Sequence, residues 1–204
     1  MLSLWSFLVS FNMTTDPTQE APRQLHPDAS AVFQRLEERA SADTAVVSAL
    51  RRSAAYEPGL YPPAFPYVEL LTHGRGEWQR QATYLAAACW AKSRRQRDGS
   101  QQGQGQLLAV ALRRLKQDPA NPHASKNIEK RFTTLLDADA DELPWRLRQI
   151  TAILDAASIA IDWPALLSDL WHWNHTDRFV QVRWARQFWE PASPSKKAVE
   201  AQAS

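Results

Sequence analysis

Residues 125–150 read SKNIEKRFTTLLDADADELPWRLRQI, and residues 161–189 read IDWPALLSDLWHWNHTDRFVQVRWARQFW. Neither segment contains a glycine, and in both the apolar residues recur at the three- and four-residue spacing of one helix face. Six of the nine tryptophans of the chain lie between Trp145 and Trp189, interspersed with basic side chains. The pattern predicts helices with a buried aromatic face and a cationic face. It favours a rigid helical block that binds an anion over one that performs chemistry.

The rest of the chain carries no signal for β-structure. All six glycines lie between Gly59 and Gly105, and no segment shows the two-residue alternation of a strand or the turn of a hairpin. We therefore predict an all-α protein of two small helical bundles packed together, residues 28–118 and residues 119–190. The boundary between them is the turn-rich stretch DPANPHAS at residues 118–125.

Aspartates mark the predicted starts of several helices. Asp28, Asp43 and Asp162 each precede an apolar periodic run, and an aspartate at this position accepts hydrogen bonds from free backbone N–H groups. Pro164 fits the first turn of the helix that Asp162 begins. The other predicted helices cover residues 64–71, 76–94, 107–116, 126–136, 142–156, 163–173 and 177–189.

The two ends of the chain are predicted to lie outside the bundles. Residues 1–12 are apolar, but they lack the basic start and cleavage site of a signal peptide and are shorter than the about 20 residues of a membrane span. We expect translation to begin at Met13, residues 1–27 to be flexible and residues 191–204 to be disordered. The single cysteine, Cys89, sits in an apolar run and predicts a packed side chain in a cytoplasmic protein.

The small net charge of +2 conceals an asymmetry along the chain. Residues 75–131 hold twelve Lys or Arg against four acids, a local excess of +8, so that the remainder carries −6. Such a region attracts polyanions to one face without making the whole surface adhesive. The alternative is a set of solvated helix faces.

The acidic run DADADE at residues 137–142 resembles the start of a calcium loop. The match fails because Glu142 stands where the loop needs glycine and Arg148 stands where it needs a bidentate glutamate. Acids directly before a helix are explained more simply by capping and by the positive helix N-terminus.

Asp169, His172 and His175 are spaced three apart and leave a metal-dependent phosphohydrolase open as a minor alternative. No nucleophile elbow, dinucleotide-binding fingerprint or P-loop is present. We therefore expect no enzyme activity, no metal and no cofactor.

Basic residues on three predicted helices are the better candidates for a site. Lys126, Lys130 and Arg131 lie on one helix, and Arg148 lies outside the apolar stripe of the next. The last helix adds further cations, among them Arg178, Arg183 and Arg186. These cations could converge on one groove, or they could be surface charges in weak ion pairs. The tryptophan stripes are predicted core, although Trp145 or Trp173 could stack on a base or on another subunit.

Four segments, in the same order along the chain, resemble the CasB family, the small subunit of the type I-E CRISPR surveillance complex Cascade. They are LRR at residues 50–52, IEKRFTTLLDADADELPWRLRQI at 128–150, IDWPALLSDLWHWN at 161–174 and RFVQVRWARQFW at 178–189. The resemblance covers roughly residues 28–190. The apolar first twelve residues and the long tail depart from the family pattern.

The resemblance implies a non-catalytic helical protein that is present in two copies and contacts other Cascade subunits. It implies a role in holding crRNA-paired target DNA and the displaced strand of an R-loop, while a separate helicase-nuclease cuts. The implied nucleic-acid-binding residues are Arg51, Arg52, Lys126, Lys130, Arg131, Arg148, Arg178 and Arg183. A helical adaptor whose arginines contact only protein is the alternative from another class.

Overall fold

The computed structural model describes residues 27–94, 105–118 and 124–190. The predictions for residues 1–12, Met13 and the tail at 191–204 lie outside these ranges, as does most of the turn-rich boundary.

The described residues form an all-α fold, which confirms the predicted class. The α-helices are α1 Pro27–Ala42, α2 Thr44–Ser53, α3 Phe65–Val68, α4 Glu77–Ser93, α5 Leu108–Lys116, α6 Ala124–Leu136, α7 Leu143–Ala156, α8 Trp163–Trp171 and α9 Phe179–Trp189. Single turns of 3₁₀-helix, Pro62–Ala64 and Glu69–Leu71, flank α3. Within the three described ranges no helix is long and apolar enough to cross a membrane.

Two of the three predicted aspartate caps are confirmed. Asp43 accepts a hydrogen bond from the backbone N–H of Ala45 at 2.8 Å, and Asp162 accepts one from Ala165 at 2.9 Å. The cap at Asp28 is wrong, because α1 begins one residue earlier at Pro27. Asp28 therefore lies in the first turn, where a carboxylate is favoured by the helix dipole, and it forms an ion pair with Arg75 at 3.1 Å.

The hydrophobic core runs through the helices of both predicted bundles. Helix α8 packs on α1 and α4, α7 packs on α6 and α4, and α5 packs on α6 and α9. The buried apolar side chains of these helices form one cluster. The division into two bundles stays a prediction.

Two tryptophans, Trp173 in the core and the partly buried Trp78, connect distant elements through their indole N–H groups. Trp173 donates to the carbonyl of Ala138 at 3.0 Å, and Trp78 donates to the carbonyl of Leu170 at 2.8 Å. A buried indole stabilises the core when its polar edge finds a partner, so these bonds fix the register of α4, α8 and the α6–α7 turn. Trp173 is thus a core residue, as the periodicity predicts.

One glycine is required by close packing. Gly105 precedes α5, where the next residue, Gln106, forms an isolated parallel bridge with Ile161. A Cβ atom on Gly105 would lie 2.3 Å from the carbonyl carbon of Ile161. The bridge thereby ties the start of α5 to the segment before α8.

Candidate nucleic-acid interface

Helix α6 presents two lysines on its outer face. Ile128, Phe132 and Leu135 are buried on the inner face, and Lys126 and Lys130 are exposed on the other. The two lysines lie four residues apart, about 6 Å along the helix axis. They line a shallow groove with Glu129, Thr133, Thr134 and Asp137. Neither lysine has a hydrogen-bond or ion-pair partner among the described residues.

Arg131 and Arg148 extend this surface from α6 across α7. Arg131 Nη1 donates to Oε1 of Gln149 at 3.0 Å, which joins α6 to α7. Arg148 Nη2 donates to the carbonyl of Tyr56 at 2.7 Å, which joins α7 to the segment after α2. Both guanidinium groups are therefore held in place by contacts between elements.

The last turn of α2 supplies the next pair of cations. Arg51 donates through Nε and Nη2 to the carbonyl of Ala91 in α4, at 3.3 and 3.2 Å. Arg52 is exposed and has no partner among the described residues. Lys92, also exposed, follows Ala91 in the chain. In the sequence Lys92 contributes to the positive charge of residues 75–131, but nothing marks it as a site residue. Its link to Arg51, which bonds the preceding residue Ala91, spans 41 positions and is visible only in the fold.

Three of these cations join neighbouring elements by hydrogen bonds, and four others are exposed on the same helices. We name the seven together the cationic band. Its members are Lys126, Lys130, Arg131, Arg148, Arg51, Arg52 and Lys92.

Arg178 lies at the far end of α6. It precedes α9 in a left-handed conformation, with φ of 48°. Its Nη2 donates to the carbonyl of Leu136 at 2.5 Å and lies 3.8 Å from Oδ1 of Asp137. Its charge is therefore partly balanced, and the side chain closes the last turn of α6.

Arg183 differs from the other predicted cations because it pairs with a buried carboxylate, that of Asp169. Its Nη2 donates to Oδ1 of Asp169 at 2.5 Å, and Trp184 Nε1 donates to Oδ2 of the same carboxylate at 2.7 Å. The Asp169 side chain is only 5% exposed. Arg183 thus compensates a buried negative charge between α8 and α9 and has little charge left for a polyanion.

Asp169, His172 and His175, the residues of the alternative metal site, have separate partners and do not form a cluster. Asp169 points at Arg183, His172 Nδ1 lies 2.8 Å from the carbonyl of Ser168, and His175 Nδ1 lies 3.7 Å from Asp177. In the part of the chain that the structure describes, no group of three His, Cys, Asp or Glu could hold a metal ion.

The run DADADE confirms the capping interpretation. Oδ1 of Asp139 accepts hydrogen bonds from the backbone N–H groups of Asp141 at 3.0 Å and Glu142 at 2.9 Å. These are free donors ahead of α7, so the carboxylate acts as a helix-start residue.

Part of the positive charge of residues 75–131 is neutralised by acids outside this stretch, in the ion pairs Arg75–Asp28, Arg80–Glu69, Arg94–Glu37 and Arg113–Glu190. Two further ion pairs, Arg80–Glu77 and Lys116–Glu129, lie within it. In the last pair the ammonium lies 2.7 Å from the carboxylate. The hydrogen bond and the charge of Lys116 lower the pKa of Glu129, and a hydrogen bond from Trp189 lowers it further.

A cleft of about 430 Å³ elsewhere on the surface has the opposite character. It lies between the segment after α2, the first half of α4 and the α6–α7 turn, and its apolar lining includes Leu60, Trp78 and Pro144. Acidic side chains line it as well, among them Glu57 and Asp141. With Glu77 they outnumber its one basic side chain, Arg80, so that the cleft disfavours a phosphate backbone.

Comparison with known proteins identifies the family. A profile described as CRISPR-associated protein Cse2 matches residues 46–189. A CRISPR-associated protein Cse2 of Thermus thermophilus is 42% identical over 164 residues, which cover 78% of this chain and 88% of the relative. The fold is similar to that in the crystal structure of M. ruber CasB, with a TM-score of 0.66 and 30% sequence identity. The match covers 87% of this chain and 98% of the M. ruber chain. A chain in a CRISPR RNA-guided surveillance complex shares the fold at TM-score 0.68 and 23% identity, covering 87% of this chain and 98% of its own. The chain belongs to the Cse2 family of CRISPR-associated proteins.

Proposed function

We propose that this chain is the non-catalytic small subunit of a type I-E Cascade complex in the cytoplasm, present in two copies. It binds nucleic-acid backbone without sequence preference and stabilises the R-loop of crRNA and target DNA together with the displaced strand. Family membership supports the place in the complex. The observation that carries the binding role is the pair of exposed lysines on α6, at the edge of the cationic band, that have no partner among the described residues.

The chemistry of the cationic band suits phosphate rather than base edges. Lys126 and Lys130 are point charges one helical turn apart, close to the separation of successive phosphates in an extended strand. Arg131 follows Lys130 on α6 and contacts Gln149, the residue after Arg148 on α7, and part of each guanidinium is already used in the fold. Contacts of this kind position a strand but carry no sequence information.

Modest backbone contacts are enough for this role. R-loop formation exchanges a DNA duplex for an RNA–DNA heteroduplex of similar stability, so the equilibrium is nearly balanced. Each phosphate contact that releases a counterion makes binding more salt-dependent, with a slope of about −0.7 to −0.9 per contact. A few lysines and arginines can therefore shift the balance toward the open R-loop.

The test is charge reversal on α6 in the assembled complex. Lys130→Glu and the double variant Lys126→Glu/Lys130→Glu should weaken R-loop stability equally for unrelated target sequences. The slope of log affinity against log salt should become shallower by about 0.7 to 0.9 for each phosphate that the variant no longer neutralises. The control is Arg35→Glu, which changes the charge equally at an exposed position on α1 that lies outside the cationic band and has no partner in the described ranges.

Two results count against the role in nucleic-acid binding. One is unchanged R-loop stability for both lysine variants at every salt concentration. The other is an equal loss in the Arg35→Glu control, which would mean that overall charge, not the α6 surface, sets the affinity.

The acid-lined cleft supports a second candidate, a protein–protein adaptor. Leu60 is an exposed apolar side chain at this cleft, and Glu57 and Asp141 make it negative. We expect Leu60→Asp to weaken assembly if the cleft docks a basic, apolar segment of a neighbouring subunit. Native mass spectrometry of complexes assembled from purified subunits measures this. A pure adaptor predicts lost assembly together with no salt-dependent binding of single-stranded DNA by the isolated chain.

A further inference from the structure

Trp189, the last residue of α9, is an aromatic side chain that the fold leaves half uncovered. The residue is 46% exposed. Phe132 and Phe188 hold it in place, with ring centroids 5.7 and 4.9 Å away and ring planes inclined by 53° and 82°. Neither neighbour lies parallel to the indole, and no cation lies over it among the residues described. A large, fixed ring without a stacked partner is an unusual surface for a folded domain to expose.

The position of Trp189 places this ring beside the α6 groove. Its ring contacts Phe132 of α6 and its indole contributes to the lowered pKa of Glu129, which lines the groove together with Lys126 and Lys130. Glu129 lies three residues after Lys126 and directly precedes Lys130, so it lies on the same side of α6. The charge of Glu129 is balanced by Lys116 at 2.7 Å, which leaves the two lysines as the unbalanced charges of the groove.

Trp145, the other exposed tryptophan in the described ranges, differs in its surroundings. Trp145 is 53% exposed, but the guanidinium of Arg146 lies over its ring, 4.8 Å from the centroid. Its neighbour Pro144 lines the acid-lined cleft, where carboxylates repel phosphate. Trp145 is thus a control of similar exposure whose ring is already covered by a guanidinium.

We propose that Trp189 is a stacking platform for an unpaired nucleobase of the strand whose phosphates contact Lys126 and Lys130. The inference rests on the proposed function and adds the class of ligand: single-stranded nucleic acid with bases turned out of the helix. Stacking on an aromatic side chain is tolerant of sequence because every base has a π-face. It therefore adds affinity to a backbone-binding groove without adding base readout.

The experiment compares two probes on the full-length chain: oligothymidylate and an abasic strand of the same length and charge. Trp189→Leu keeps apolar packing against Phe132 but removes the ring. It should weaken oligothymidylate binding by between about 5-fold and 100-fold, leave binding of the abasic strand unchanged, and leave the salt slope unchanged. Trp189→Phe should retain most of the affinity, and Trp145→Leu should match the wild type.

Two outcomes overturn the platform: unchanged oligothymidylate affinity in Trp189→Leu, or an equal loss with both strands. Thermal melting of each variant verifies that it is folded, and Trp189→Phe supplies the comparison if the leucine variant is not. Lys126→Glu/Lys130→Glu, measured in parallel, separates the two proposals. If the lysine variant loses affinity and Trp189→Leu does not, the platform alone fails; if the lysine variant keeps full affinity, the groove and the platform fail together.

Discussion

Replacing Arg183 by methionine should lower the free energy of unfolding and leave the affinity for nucleic acid unchanged. The substitution keeps most of the apolar stem and removes the guanidinium that lies 2.5 Å from Asp169. The carboxylate remains buried and still accepts from Trp184 Nε1 at 2.7 Å. It loses the ion pair with Arg183, and removing one partner of a buried ion pair is costly.

The size of the effect follows from the burial of the two partners. Breaking a fully buried ion pair by removing one member costs about 3–5 kcal/mol. The Arg183 side chain is 28% exposed, so water can reach its side of the pair and reduce the loss. We expect the free energy of unfolding to fall by about 2–3 kcal/mol, and Tm to fall by about 5–10 °C for a chain of this length.

Urea denaturation and thermal melting followed by circular dichroism measure this loss. The control is Arg186→Met on the same helix, where the side chain is exposed and has no partner among the described residues. Its stability should change by no more than about 0.5 kcal/mol. If Arg183→Met keeps wild-type stability but loses affinity for single-stranded DNA, Arg183 is a phosphate contact and the electrostatic reasoning is wrong.

Two further predictions concern the start of α5 and the acid side of the stability curve. Gly105→Ala should lower the free energy of unfolding by about 1–3 kcal/mol in urea titrations, because its Cβ would lie 2.3 Å from the Ile161 carbonyl carbon; wild-type stability would contradict that contact. Lys116 lowers the pKa of Glu129 in the folded state. The ion pair therefore stabilises the fold above the unfolded pKa of glutamate, about 4.3, and this stabilisation is lost as the pH falls through the lower pKa of the folded state. The Tm difference between wild type and Glu129→Gln should therefore shrink on acidification, and a difference that does not change with pH would contradict the assigned cause.

The sequence predicts the helices and their buried faces well because these depend on short-range chemistry. The stripe of Ile128, Phe132 and Leu135 repeats at helical spacing, and all three side chains are buried. Asp43 and Asp162 bond backbone groups two or three residues away, so the cap is encoded within one turn. The cap at Asp28 is wrong by a single position, because a proline can itself occupy the first turn.

The roles of individual cations could not be predicted in the same way. Lys130 and Arg183 both lie off the apolar stripe of an amphipathic helix, and local spacing does not distinguish them. Asp169, which fixes the role of Arg183, lies on another helix 14 residues away. For Arg113 the partner is Glu190, 77 residues along the chain. The tertiary fold brings these carboxylates within reach, through the contacts of Arg183 and Trp184 with Asp169 and through the packing of α5 on α9.

Three of the four arginines of the cationic band differ in role from its three lysines. Arg51, Arg131 and Arg148 each donate to an oxygen of another element, because the planar guanidinium can bond the fold and still direct other N–H groups outward. The three lysines of the band have no such partner in the described part of the chain and are exposed. These three arginines therefore join neighbouring elements of the fold, whereas the lysines and Arg52 supply exposed charge. Replacing a band lysine by glutamine should lower affinity and leave Tm unchanged, whereas the same change at Arg131 or Arg148 should lower both.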